Sequence, residues 1–349
     1  MGFIDAYETI NEEFLNVHIQ SMLLRFFQGE NNPCKTKVHT DWIVSQKNQQ
    51  ERVLMPLRDL TEYFNQRITE QQGLAEPPLF IKAGRVESRA GGLPLATEFH
   101  PIRLAYSPSM IVGHDATLRA FPPETSQSIA TKVFHLAEYE SIVNLDRLCR
   151  TIHMLNYLPI SHESGYLFLH VHPRHVLGVK KNHGAYFEDV IFRCGLSPRR
   201  VVISVTISPL YDRQFTALID GLSNYQNRGY STAIKFDEQA NESFFERYCI
   251  DLLHRITPDF VRLDGRFFTK LRRSEDAGYA KNASLLSVLP RLDTELLVEG
   301  IKTEGDDQFA RSLHPSYVKG EFYDLELHQN QVGSDQSQRG LKLRSFSTQ

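Results

Sequence analysis

Apolar side chains recur along this chain with two periods, first that of a helix and then that of a strand, and the change comes near residue 92. Residues 4–28 place Tyr7, Ile10, Phe14 and Val17, then Ile19, Met22, Leu23 and Phe26 at helical spacing, which predicts an amphipathic helix. Residues 29–40 are polar and read as a loop. A second helix is predicted over about 42–71, with Val53, Leu57, Leu60, Phe64 and Ile68 on one face and Gln71-Gln72-Gly73 ending it. Pro77-Pro78 then leads into an extended stretch, and Arg89-Ala90-Gly91-Gly92 reads as a domain boundary. Residues 1–92 are therefore expected to form a mostly helical module. Its two apolar faces need a partner surface, either the following domain or a second copy of the chain.

After Gly92 the pattern alternates. Strands are predicted near 97–105, 110–118, 166–172, 200–206, 231–236, 259–264, 295–299 and about 317–323. Helical patterns fall at 131–156, 185–194, 211–227, 242–256 and 278–290. An opening hairpin followed by strand–helix repeats suggests a closed β/α barrel over 93–326, with a doubly wound open sheet as the alternative. Residues 327–349 are polar and poor in aromatics, so a disordered tail is expected there.

The stretch from Pro258 to Glu304 carries the first hint of chemistry. It reads as strand, helix, strand, and the strands end in Asp264 and Glu299. Strands joined by helices pair in parallel, and side chains at their carboxyl ends converge on one mouth. Asp264 and Glu299 are thus expected neighbours, with Arg262 close by.

Composition narrows the choices. The chain is 41% hydrophobic and 23% charged with a net charge of -3, which gives no general pull towards nucleic acid or anionic membrane. No apolar run approaches the ~20 residues that span a bilayer, and the N-terminus lacks a signal-peptide core. A cytoplasmic protein is expected. Cys34, Cys149, Cys194 and Cys249 form no C-x-x-C pair and read as reduced thiols. Arg199-Arg200 and Arg272-Arg273 lack interleaved aromatics and read as solvated loop charge, so no nucleic-acid partner is expected.

Residues 97–326 resemble the EAL domain of bacterial cyclic di-GMP phosphodiesterases, on eight short stretches in order. Phe99-His100-Pro101-Ile102 sits at the opening aromatic-Gln-Pro-Ile strand, and Gly113-His114-Asp115-Ala116-Thr117-Leu118-Arg119 at Gly-Tyr-Glu-Ala-Leu-Leu-Arg. Leu145-Asp146-Arg147 resembles the next helix region, and His170-Val171-His172-Pro173 falls on Asn-Leu-Ser-Pro. Ile203 to Ser208 falls on Leu-Glu-Ile-Thr-Glu-Ser, Pro258 to Asp264 on the Lys-Ile-Asp strand, and Val298-Glu299-Gly300-Ile301-Lys302-Thr303 on Ala-Glu-Gly-Val-Glu-Thr. Lys319-Gly320-Glu321 takes the closing Gln-Gly-Tyr position. The resemblance implies a modified TIM (β/α)8 barrel with its first strand reversed.

The same resemblance argues against the family's two-metal hydrolysis, in which strand-end carboxylates and an Asn hold divalent ions. Asp115 stands for the name-giving Glu, His170 for the Asn, Ser204 for a strand carboxylate, and Lys235-Phe236 for an Asp-Asp pair. Arg262 replaces the Lys and Lys302 a second Glu, while Asp264 and Glu299 remain. Magnesium and manganese need hard oxygen ligands. The expectation is therefore an inactive site without metal or cofactor. In it Lys235 replaces the cations and pairs with Asp115 or Glu299. Lys235 and Arg262 are read as the only basic side chains on that rim. A zinc site of His170, His172 and Asp115 competes with packed or hydrogen-bonded histidines, which are preferred because no further His or Cys falls on a matched strand end.

Three functions compete. One is a regulator that acts through a protein partner or as a homodimer. Another is a non-catalytic cyclic di-GMP receptor, which Arg119 and Asp146 favour because their family counterparts lie near the nucleotide. The third is an active phosphodiesterase. The first is ranked ahead of the second, and the third is set last.

Overall fold

The computed structural model describes residues 57–90, 93–119, 139–161, 165–180, 182–236, 250–265 and 291–324. The chain divides into two compact units, Met1–Val53 and Leu54–Gln349, and the first lies outside the described residues. So do the expected helices at 4–28 and 278–290, part of those at 42–71, 131–156 and 242–256, and the expected tail at 327–349.

Helix α1 (Leu57–Gln72) opens the second unit and buries Leu60, Phe64 and Ile68, spaced as its sequence predicts. Strands β1 (Leu79–Lys82) and β2 (Arg85–Ala90) follow as an antiparallel hairpin, turned by Ala83 and Gly84 with positive φ. The hairpin lies on the extended stretch expected after Pro77-Pro78, and most of the expected helical module lies outside the described residues. Strand β2 pairs antiparallel with β3 (Leu93–Leu104), and the second compact unit begins at Leu54, ahead of the boundary expected at Arg89-Ala90-Gly91-Gly92. A proline pair and a glycine pair bracket this hairpin, and a hairpin carries the same turn residues as a linker.

The strands then close. Strand β3 pairs with β4 (Ser107–Arg119), and the parallel ladder continues through β5 (Tyr166–Val171), β6 (Val201–Ile207), β7 (Ser231–Phe236), β8 (Phe260–Asp264), β9 (Glu295–Glu299) and β10 (Tyr317–Lys319). Strand β10 returns to β3, which runs antiparallel to both neighbours. The result is an eight-stranded barrel with one reversed strand, not an open sheet. Between strands the described helices are α2 (Tyr139–Tyr157), α3 (Pro173–Gly178), α4 (Ala185–Arg193), α5 (Phe215–Asn227), α6 (Ile250–Ile256) and α7 (Glu304–Ser312). Helices α3 and α7 have no counterpart in the pattern reading.

Period-two alternation sorts side chains into two cores. Outward residues such as Ile203, Val205, Ile234, Val261, Leu263 and Val298 meet the helices, and α1 adds Leu60, Phe64 and Ile68 to that layer. Inward residues Ile102, Phe168, Val202, Ala233, Phe260 and Leu297 fill the barrel. Tyr166, Phe168 and Tyr317 surround Phe260 with ring centroids 5.2, 5.0 and 5.8 Å away. Each large buried apolar side chain contributes about 1.5–3 kcal/mol. The aromatic layer forms a floor, and the next inward residues along the strands are polar.

Candidate functional site

Above that floor, alternation turns Asp115, His170, Ser204, Lys235, Arg262, Asp264, Glu299 and Lys319 into the mouth at the carboxyl ends of the parallel strands. Register brings them level. His170 lies opposite Ser204, Lys235 opposite Arg262, Asp264 opposite Glu299, and Glu299 opposite Lys319. Gly300, with φ +77°, turns the chain directly after Glu299. Gly320 follows Lys319 where a Cβ would stand 2.0 Å from the Ile301 carbonyl oxygen, so no side chain fits there.

Arg262 is the centre. Its side chain is fully buried, and its guanidinium donates to both oxygens of Asp115 at 3.0 and 2.7 Å. The same group donates to Glu299 Oε2 at 2.5 Å and to Ser204 Oγ at 3.0 Å. Lys319 Nζ lies 2.5 Å from Asp115 Oδ2 and 2.9 Å from Glu299 Oε2. Lys235 Nζ donates to Glu299 Oε1 at 2.5 Å and to Asp264 Oδ2 at 3.1 Å. Three carboxylates thus face three cations, and the six charges balance. Arg262 crosses the barrel from β8 to β4, and Lys319 reaches past β3 to β4.

Electrostatics follow from that geometry. Burial would raise the Asp115 carboxyl, yet Arg262 and then Lys319 hold it far below the usual carboxylate range. Burial acts the same way on Glu299, and Arg262, Lys319 and Lys235 overcome it. Burial opposes the charge on Lys319, but Asp115 and Glu299 raise its pKa. His170 stands at the edge, its side chain 39% exposed and its Nε2 3.4 Å from Arg262 Nη1. Desolvation and the Arg262 charge push it down to about 4, so it is neutral near pH 7. Among the described residues, no cluster of His, Cys, Asp and Glu is arranged to hold a metal ion.

The structure brings together six of the eight residues singled out from sequence: Asp115, His170, Lys235, Arg262, Asp264 and Glu299. Lys235 pairs with Glu299, one of its two expected partners, and with Asp264; Asp115 instead belongs to Arg262 and Lys319. Lys319 is the residue that sequence reasoning missed, since only Lys235 and Arg262 were expected on the rim. The signal was available: Tyr317 and Lys319 share one face of a period-two strand. Lys302 points away, 67% exposed beside Glu321. Arg119 is exposed at the end of β4, opposite Ala96.

Asp146 lies elsewhere. It sits on α2, where its Oδ1 accepts the His172 backbone N–H at 3.0 Å and its Oδ2 pairs with Arg150 at 2.5 Å and His175 at 3.2 Å. The carboxylate therefore fixes the corner after β5. His172 caps α3 by accepting from Arg174 N, a structural role that matches the preferred reading of the histidines.

No protein-family model matches the chain, and no curated protein matches it. Solved structures do. The calcium and cyclic di-GMP complex of Klebsiella pneumoniae BlrP1 at pH 8.0 is 18% identical, with a TM-score of 0.54 over 70% of this chain and 57% of that one. The EAL enzyme Bd1971, in its cAMP- and cyclic di-GMP-bound form, is 14% identical with a TM-score of 0.50, covering 87% of this chain and 75% of that one. A PaMucR phosphodiesterase complex with cyclic di-GMP is 18% identical with a TM-score of 0.49, covering 66% and 95%. The common feature is the fold: an EAL-like barrel.

Proposed function

We propose that this EAL-like barrel is a non-catalytic regulatory protein of bacterial signalling that acts by binding another protein. One observation carries the proposal: Lys235, Arg262 and Lys319 occupy the mouth and take up its three carboxylates. Hydrolysis of a phosphodiester by two divalent ions needs carboxylates free to bind them. Here each carboxylate already faces an ammonium or guanidinium. A divalent ion 4 Å from any one of those cations would be repelled by about 8 kcal/mol at an effective dielectric near 20. Ser204, in reach of Arg262, supplies a hydroxyl where the resemblance implies a carboxylate. A barrel kept intact by internal ion pairs retains its outer surface, and that surface is what a protein partner meets.

The second reading is a non-catalytic receptor for cyclic di-GMP, which the solved neighbours hold in their own sites. Arg119, exposed at the mouth end of β4, favours it. Asp146 does not, because its oxygens are engaged behind α2. Calorimetry on the full chain separates the readings. The first expects no heat from magnesium, manganese or cyclic di-GMP. Nucleotide binding without metal would favour the second, and tight binding of two manganese ions would reject both.

A further inference from the structure

The aromatic layer that floors the mouth has a second face, at the amino ends of the parallel strands. Tyr166 and Tyr317 lean on Phe260 from two sides, with centroids 5.2 and 5.8 Å away, and make no ring contact with each other. Both are half-buried, and neither hydroxyl has a hydrogen-bond partner among the described residues. Strand β10 begins at Tyr317, which pairs with Leu104 on β3, and the β3–β4 turn follows at once with Tyr106. Tyr106 is 78% exposed, and Met110 and Ile111 beyond it are exposed as well. From Tyr106 to Ile111 the hairpin carries no charge. Beside it stands Glu295, two residues before Leu297 on β9 and therefore turned to the same inner side. Ser316 donates to Glu295 Oε2, while Oε1 has no partner among the described residues. Burial, then Glu295, Tyr166 and Tyr106, push the Tyr317 hydroxyl up to about 12, so these groups adjoin, and the charged one among them is Glu295. On the far side Asp259 and Glu295 act on the Tyr166 hydroxyl against Arg200.

We propose that Tyr106, Tyr317 and Glu295 form a seat for an arginine side chain of a partner protein, at the end of the barrel opposite the mouth. The inference rests on the protein-binding reading above and names the chemistry of that partner. A guanidinium over a tyrosine face is attracted by the ring quadrupole. Its N–H edge matches a carboxylate, and Ser316 already orients the one beside these rings. An exposed apolar patch rimmed by polar groups marks an interaction site, and Tyr and Arg dominate the energetics of such contacts. An acidic segment fits less well, because Glu295 would meet it with like charge. A second copy of the chain also fits less well, since a two-fold contact through this face would turn the two Glu295 carboxylates towards each other.

The test uses the full chain and fluorescence anisotropy with a short labelled peptide of alternating glycine and arginine, beside lysine and glutamate peptides of the same length. The arginine peptide is expected to bind, and Tyr106→Ser or Glu295→Gln to weaken it about tenfold. Both side chains are exposed, and unchanged thermal unfolding of the variants shows that the effect is local. Glu76→Gln removes the same charge from the loop after α1 and should leave binding as it is. The lysine peptide should bind more weakly, since an ammonium has no plane to lay on a ring. Absent binding of the arginine peptide, binding that neither Tyr106→Ser nor Glu295→Gln weakens, an equal loss in Glu76→Gln, or preference for the glutamate peptide would overturn the proposal. So would self-association of the wild-type chain that Tyr106→Ser abolishes, which would give this face to a second copy. Turnover of cyclic di-GMP by the same preparation would reject the regulatory reading while leaving the peptide result readable, so the two failures are distinct.

Discussion

Replacing Arg262 by methionine keeps most of its volume and deletes its charge. Five hydrogen bonds go with it, two to Asp115 and one each to Glu299, Ser204 and His170. Asp115 and Glu299 are left in the barrel with side chains 1% and 2% exposed. Removing one member of a buried pair costs about 3–5 kcal/mol. Lys319 still lies 2.5 Å from Asp115 and 2.9 Å from Glu299, and Lys235 still reaches Glu299, so the loss belongs near the low end, about 3 kcal/mol. Against a typical stability of about 5–15 kcal/mol that is large without being fatal.

The pH dependence gives the loss a signature. In the native protein Asp115 and Glu299 are both depressed, so each stabilises the fold above the usual carboxylate range. That stabilisation is lost as pH falls through the depressed value. Without Arg262 both acids move up, and in the variant they take up protons at milder acidity. The gap between wild type and variant is therefore widest near neutral pH and narrows below about pH 4.5. Urea unfolding at pH 7 and pH 4 measures both values. A loss under about 1 kcal/mol at pH 7, or one equal at the two pH values, would refute the reasoning.

Lys235→Met should follow the same trend with a smaller loss, about 1–2 kcal/mol, because Lys235 and Asp264 are 19% and 17% exposed and Glu299 keeps two other cations; urea unfolding at pH 7 checks it. Thr303→Ala removes the hydroxyl that accepts the Asp306 N–H in the capping box of α7 and should lower stability by about 1 kcal/mol in the same assay. Cys149 and Cys194 are buried, and burial drives the Cys149 thiol far above its ordinary range. Peptide mapping after treatment with a thiol reagent should find both unmodified in the native protein and modified in urea; modification of Cys149 at the native-state rate of an exposed thiol would contradict its place in the core.

Much of the barrel was legible because its signals are local. The expected strands at 231–236 and 295–299 match β7 and β9, and the neighbouring carboxylates Asp264 and Glu299 pair in register and share Lys235. What escaped depended on contacts distant in sequence. The strand expected to run to 323 stops at Lys319, because the close approach of Gly320 to Ile301 turns the chain into a short helix. Lys319 lies in the closing motif, and only closure of the barrel brings it to Asp115. Helical spacing likewise does not say which neighbour Asp146 meets, and here it meets the chain after β5. Helix α3 is only six residues long and α7 nine, too short to show a clear apolar period. The hairpin of β1 and β2 was hidden by turn residues that also suit a linker.

The most direct test of the central claim is turnover. Purified full chain, incubated with cyclic di-GMP and either magnesium or manganese, should yield no linear dinucleotide above a no-protein control. Hydrolysis above that background, abolished by Glu299→Ala, would contradict the account, because it would require metal ions to bind where Lys235, Arg262 and Lys319 now hold the carboxylates.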